Sequence, residues 1–338
     1  MSSKIPTLID VAKKCNLSVA TVSRALSGTG YVSEKSKTRI QLEAKKLGYT
    51  VNSKGRGLRN GASRTLGLIV EDITVLDFGI FADSVCRAAS ENGYKVIICV
   101  ANEDEQLESD AISLLISSRV DGIIAIPTSR NISLWKRALE HKIQLQFVDR
   151  SVPEMKNVPV ITSDHKSAGH AVANYFIERK HDNPLYLLPN LNHTGALLRD
   201  GIMEAYKDAS LSIDKDQIVV LSEHRLPDMN LIYKRLANRK IDGIFYGSFT
   251  IANAMLRESL KYDVSAINYA RGVAYTDRSW IGGGSEGIRI IDNDFEKLGR
   301  LSVTNILRNL AEGKHNSSKS IIAVKRVRPV LLRKDSDE

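Results

Sequence analysis

Within six residues, Val19, Ala20, Thr21, Ser23 and Arg24 supply two small apolar side chains, two hydroxyls and a guanidinium, in the run Ser18-Val19-Ala20-Thr21-Val22-Ser23-Arg24. A guanidinium fork donates two hydrogen bonds to guanine O6 and N7, and a Val or Ala side chain makes apolar contact with a thymine methyl. The hydroxyls of Ser18, Thr21 and Ser23, with the backbone N–H groups of a helix start, suit phosphate oxygens, which fix register without reading sequence. The chemistry on offer is recognition of base edges in duplex DNA. Charge agrees with it: Met1 to Ala62 holds twelve Lys/Arg against three Asp/Glu, a net +9 that equals the formal net charge of all 338 residues. The rest is neutral by the same count, so a polyanion-binding head precedes a larger body.

The elements that present this face are short. Leu8, Val11, Ala12 and Cys15 recur at i, i+3, i+4 and i+7, a helix with Thr7 as N-cap and Asp10 in a variant capping box. Asn16-Leu17 breaks it, and Ser18 caps a second helix in which Val22, Ala25 and Leu26 face inward while Val19, Ala20, Ser23 and Arg24 face outward. A third helix follows Ser33, buries Ile40, Ala44 and Leu47, and stops at Gly48. Two helices joined by so short a turn predict a helix-turn-helix, with the second helix in the major groove. The alternative is a packing unit with a solvated basic face, against which caps, turn, face and charge all agree.

At these residues the sequence resembles the LacI/GalR family of bacterial transcription regulators. The match is close through Thr7-Leu8-Ile9-Asp10-Val11-Ala12, Ser18 to Leu26, Val32-Ser33 and Leu47-Gly48-Tyr49. It continues more loosely through Leu66 to Asp72, Val120-Asp121-Gly122, Val148-Asp149-Arg150 and Asp242-Gly243-Ile244 to Pro329-Val330-Leu331-Leu332-Arg333. The resemblance implies DNA contacts from Thr7, Ser18, Val19, Ala20, Thr21, Ser23, Arg24, Tyr49, Asn52, Arg56 and Leu58. It further implies that Asn52 to Arg59 is a hinge that becomes a helix on DNA and drives Leu58 into the minor groove. Gly55 and Gly57 each cost such a helix about 1 kcal/mol relative to Ala, so the hinge is expected to be disordered until DNA and a partner hinge stabilise it. A plain basic linker is the other reading of this segment.

Beyond residue 65, short apolar runs alternate with helical patterns. Leu66 to Val70, Val96 to Val100, Ile123 to Ile126 and Gln144 to Val148 read as buried parallel strands, separated by helices near Phe81 to Asn92, Leu107 to Ser118 and Leu134 to His141. The alternation repeats at Pro159 to Ile161, Leu185 to Leu188, Ile218 to Leu221, Ile244 to Tyr246 and Val264 to Ile267. The expected fold is a small all-α helix-turn-helix head plus an α/β body of two doubly wound parallel-sheet lobes, like a periplasmic binding protein. The boundaries are a head at 1–50, a hinge at 51–65, and an effector-binding and dimerisation domain at 66–338. Its first lobe takes 66–163 and 293–325, its second 164–292.

The resemblance places an effector between the lobes, with Asp72, Phe78, Arg150, Asp164, His165, Asn192, Thr194, Leu198, Tyr246, Phe249 and Tyr269 at the cleft. Several depart from the family pattern. Leu198 stands where an arginine is usual, Arg199 is displaced about 100° around a helix, and Phe249 and Asn268-Tyr269-Ala270 lack the usual aspartates. A free sugar is therefore doubtful. Aromatic residues Phe78, Tyr246, Phe249 and Tyr269 can line a pocket, with Arg150, His165 and Lys166 meeting an anionic group. A degenerate cleft that acts without a small molecule is the alternative.

Catalysis is not indicated. Gly282 to Gly287 fits G-x-G-x-x-G but precedes the strand-like Ile288 to Ile291 instead of following a strand and opening a helix, and no catalytic or metal motif appears. No cofactor or metal is expected. Three cysteines without a pairing motif, no apolar leader and no apolar run near about 18 residues predict a cytoplasmic protein with no membrane span. The partners expected are an operator duplex, a possible effector and a second copy of the chain. A periplasmic-type binding protein with a basic tail and a non-specific architectural DNA protein are the competing functions; ligand binding without DNA marks the first and a shallow specificity ratio the second.

Overall fold

The computed structural model describes residues 6–27, 30–49, 62–190, 193–221, 241–259, 272–280, 288–313, 325–327 and 330–332. The chain divides into two compact units, Met1–Arg64 and Thr65–Glu338.

The first unit holds α1 (Leu8–Cys15), α2 (Val19–Ser27) and α3 (Glu34–Lys46). α1 opens with a reciprocal cap: Thr7 N donates to Asp10 Oδ2 at 2.8 Å and Asp10 N donates to Thr7 Oγ1 at 3.4 Å. It stops at Asn16, whose left-handed backbone (φ +54°) turns the chain; Asn tolerates this region better than most residues. Ser18 Oγ then accepts from Thr21 N at 3.1 Å and starts α2. Ser33 Oγ accepts from Ser36 N at 3.4 Å ahead of α3, and Gly48 follows that helix at φ +68°. Val11, Ala12, Cys15, Val22, Ala25, Ile40 and Ala44 meet in one buried cluster, with Leu26, Leu47 and Tyr49 packed at its margin.

The second unit begins with β1 (Thr65–Val70), α4 (Leu76–Glu91), β2 (Lys95–Val100), α5 (Glu105–Ser117), β3 (Gly122–Ala125), α6 (Ile132–Glu140), β4 (Gln144–Val148) and β5 (Val160–Ser163). It continues with α7 (His165–Glu178), β6 (Pro184–Pro189), α8 (Thr194–Asp208), β7 (Ile218–Leu221), β8 (Gly243–Tyr246), α9 (Phe249–Ser259), β9 (Gly272–Thr276), β10 (Arg289–Asp292), α10 (Phe295–Ala311), β11 (Lys325–Val327) and β12 (Val330–Leu332). One sheet has the order β11-β5-β4-β3-β1-β2 and the other β12-β10-β9-β8-β6-β7. Every pairing is parallel except β10 with β12. Along β1, Leu66, Leu68 and Val70 enter one buried cluster with Phe81, Leu298 and Ile306, whereas Ile69 enters another with Ile112, Trp135 and Phe147. Alternate residues thus face helices on opposite sides, which is why the strands read as nearly unbroken apolar runs.

The expected fold class is therefore observed, with β12 as an antiparallel edge strand. The chain passes between lobes after β5, after β10 and again between β11 and β12. That last passage returns 330–332 to the second lobe. β9 supplies a strand that the apolar pattern had not marked; Val264 to Ile267 and Gly282 to Gly287 lie outside the described residues. In the second lobe α7 and α8 meet backbone to backbone. A Cβ on Gly169 would stand 2.0 Å from Leu198 O, and one on Gly201 would stand 2.0 Å from Lys166 O.

Candidate functional site

The α2 surface is built as its sequence requires. Val22 and Ala25 are buried, while Val19 is 42% exposed and Ala20 and Arg24 are exposed beside half-buried Thr21 and Ser23. No acidic residue occupies its first turn, leaving the positive end of the helix dipole open to an anion. Ser18 and Thr21 share a hydrogen bond of 2.8 Å between their hydroxyls. The Arg24 side chain lies back along its own helix, its Nε donating to Ala20 O at 3.3 Å, so it must unfold outward to present both donors to a base. Thr7 is spent on its cap, and Tyr49 is half-buried against the head core, so its ring serves packing. Asn52, Arg56 and Leu58 lie outside the described residues.

In the body, a cavity of about 340 Å³ opens at the carboxyl ends of strands from both sheets. This is where doubly wound sheets place ligands, because successive loops diverge there. Glu71 follows β1, Glu103 follows β2, Asp149 and Arg150 follow β4, Asn190 follows β6, and Ser248 and Phe249 follow β8; all line it. Asn102, Glu103 and Asp149 hold left-handed backbones with φ of +48°, +55° and +64°, a region that Asn and Asp accept more readily than Glu.

Two groups of side chains bridge the lobes. His165, at the start of α7, places Nε2 3.0 Å from Asp149 Oδ1 and Nδ1 2.8 Å from the Tyr275 hydroxyl. Burial opposes ionisation of Asp149, but His165 and Arg150 outweigh it and hold the carboxyl down to about 2. Asp77, on α4, accepts from Thr276 Oγ1 at 2.7 Å, Asp277 N at 3.0 Å and Asn293 Nδ2 at 2.8 Å. Burial still prevails there and raises its pKa to about 6. Arg150 is clamped by Glu71 and by Glu103, the latter at 2.6 Å. Burial works against its charge, yet those carboxylates and Asp149 hold its proton more tightly than usual. Glu71 is pushed well above the carboxylate range by burial, with Glu103 adding to the shift.

Asp72, Phe78, Arg150, His165, Thr194 and Phe249 all lie on the cavity wall. Others do not. Leu198 is 0% exposed in the core between α7 and α8, and Tyr246 is 1% exposed in the core beside α9, where apolar contact consumes both. Asp164 caps α7, accepting from Ser167 N at 3.2 Å. Asn192 and Tyr269 lie outside the described residues. The anion-binding reading is corrected as well: Arg150 is neutralised by carboxylates, Lys166 pairs with Glu204 at 2.9 Å on the surface, and His165 is committed to Asp149. Sequence reasoning missed Glu71, Asp77, Glu103, Asp149, Tyr275 and Asn293. For Glu71, Glu103 and Asp149 the available signal was an acid within three residues after an apolar strand.

Among the described residues no helix is long and apolar enough to cross a membrane. A sequence profile for "Bacterial regulatory proteins, lacI family" matches residues 7–52, and one for "Periplasmic binding proteins and sugar binding domain of LacI family" matches residues 63–236. The sucrose operon repressor of Streptococcus mutans is 26% identical over 78% of this chain and 82% of its own length. The ribose operon repressor of Halalkalibacterium halodurans is 27% identical over 74% of each. In fold, the lac repressor dimer bound to operator and the anti-inducer ONPF superposes with a TM-score of 0.76 at 17% identity, covering 98% of each chain. A CelR–cellobiose complex does so at 0.67 and 18% identity over 97% of this chain and 98% of that one. With both profiles matched in order, the chain belongs to the lacI family of bacterial regulatory proteins, as a DNA-binding transcriptional repressor with a ligand-binding domain.

Proposed function

We propose that the chain binds a pseudo-palindromic operator as a homodimer and that a small molecule in the inter-lobe cavity changes its DNA affinity. The observation that carries the first half is the α2 surface, where Val19, Ala20 and Arg24 stand exposed at a helix start free of acidic residues. Residues 1–50 form the head, 51–65 the hinge and 66–338 the effector-binding and dimerisation domain in this reading, with Leu58 wedging the central minor-groove step. The relatives named as operon repressors, and the lac repressor dimer solved on its operator, support it. Edge strands β2 and β7 expose Ile98 and Val220, each 43% exposed, apolar sheet edges that a second copy covers. Closing of the lobes on a ligand then alters how the two hinges are spaced. The site of action is the cytoplasm, where bacterial DNA lies and the cysteines Cys15, Cys86 and Cys99 stay unpaired. Nothing in the reading calls for catalysis.

Sequencing the duplexes that purified protein selects from a random pool at moderate salt tests the DNA half. A single palindromic consensus is expected, and equal affinity for every duplex would overturn it. One observation favours a second reading in which the cleft regulates nothing: Asp149–His165 and Asp77–Thr276 already tie the lobes through their own side chains.

A further inference from the structure

The cavity wall is acidic beyond what its own cations balance. Glu71, Asp72, Asp77, Glu103 and Asp149 all line it, and among the described residues Arg150 is the only Lys or Arg that does. That guanidinium is already bound by Glu71 and Glu103, and His165 by Asp149. Asp72 receives Thr74 N at 2.8 Å and the Thr74 hydroxyl at 2.7 Å on Oδ1 alone, leaving Oδ2 without a partner among the described residues.

An independent feature points the same way. Asn293 lines the same cavity and is 3% exposed. Its amide nitrogen is fixed by Asp77 at 2.8 Å, which orients the side chain and leaves Oδ1 buried with no hydrogen-bond partner among the described residues. A buried acceptor left unpaired costs free energy, so its place in a cavity calls for a donor from the occupant. Phe78, Phe249, Tyr275 and Phe295 also border the space, and an aromatic face attracts a cation. The carboxylates do not converge as a metal shell: among the described residues no group of three or more His, Cys, Asp or Glu is placed to hold a metal ion. Glu71 and Glu103 share Arg150, while Asp72, Asp77 and Asp149 have partners of their own, an arrangement that fits a ligand with dispersed N–H and O–H donors.

We infer that the cavity selects a small amine-bearing polar molecule, protonated and of about monosaccharide size, over its neutral and anionic counterparts. This rests on the proposal that the cleft holds the effector. The ammonium sits toward Asp72 and Asn293 Oδ1, and the hydroxyls or second amine reach Ser248, Thr250 and Thr194. A phosphorylated or carboxylated analogue meets like charge on the same wall.

The test is a thermal-shift and calorimetric panel on the full-length protein without DNA, in matched triplets. Glucosamine, glucose and glucose 6-phosphate form one; the galactose series forms another; putrescine, 1,4-butanediol and succinate form a third. In at least one triplet the amine should bind tenfold or more tightly than the neutral member, with no binding of the anion. Asp72→Asn should lower amine affinity at least fivefold while leaving the unliganded melting temperature within a degree or two. Equal or tighter binding of a neutral or anionic member overturns the inference while the cleft reading stands. Absence of binding throughout all three triplets, with operator selection intact, overturns the inference and the cleft reading together but spares the DNA reading.

Discussion

His165 Nε2 and Asp149 Oδ1 face each other across the two lobes at 3.0 Å, both nearly excluded from solvent. Removing the histidine would leave the buried Asp149 carboxylate without this partner, a loss of about 3 kcal/mol. His165→Ala should therefore lower the urea midpoint of the body, and Asp149, held down to about 2 in the intact protein, should titrate higher. The sign follows from linkage: a depressed carboxylate gives stability that is present above its unfolded value and lost as pH falls toward 2. The variant should lose less stability than the parent between pH 4 and pH 2. Identical acid limbs would show that the pair does not couple.

Asp77 works in the opposite sense. Its pKa is raised from 3.8 to about 6, so its favourable contribution is complete below the unfolded value and disappears as pH rises through about 6. The difference is on the order of 3 kcal/mol. Comparing urea midpoints of the parent and Asp77→Asn from pH 4 to pH 7 should reveal a decline with pH in the parent that the variant lacks. Parallel curves would contradict it.

Arg24→Ala should cost about 1–3 kcal/mol per half-site and relax preference at one base position. Competitive binding against single-base operator variants reads this directly. Equal weakening on every duplex would assign Arg24 to phosphate instead.

Leu58→Ala should weaken operator binding far more than non-specific binding, since unstacking depends on the central step. Unchanged affinity and unchanged DNA bending would remove the wedge.

Gly201→Ala tests the helix contact in the second lobe. Helix propensity alone would favour Ala by about 1 kcal/mol, but the added Cβ would stand 2.0 Å from Lys166 O, and overpacking costs about 1–3 kcal/mol. A net loss of stability is expected; a gain would mean that α7 and α8 separate freely.

The head was legible almost to the residue, because its caps at Thr7, Ser18 and Ser33 and its stop at Gly48 act locally. Most strands could be anticipated from alternating apolar runs, whereas β9 could not: Gly272-Val273-Ala274-Tyr275-Thr276 carries small and polar residues that only burial turns into a strand. The cleft was half legible. Strand ends mark where a ligand sits, but which side chain enters depends on helix rotation, and Leu198 turned into the α7–α8 contact while Arg199 went to the surface beside Asp200 at 3.0 Å. The anionic partner expected for Arg150, His165 and Lys166 fails because each is paired with an acid distant in sequence. The Arg150 neutralisers Glu71 and Glu103 stand 79 and 47 positions earlier in the chain, and only the sheet order brings them within reach.

The glycine contact at 169 and 201 reaches further than packing. His165 begins α7 and Thr194 begins α8, and both line the cavity. With main chains in direct touch, neither helix can slide or tilt alone, so a molecule that pulls on either tip carries both. In the proposed reading, a ligand at either tip would therefore move the second lobe as one stiff lever.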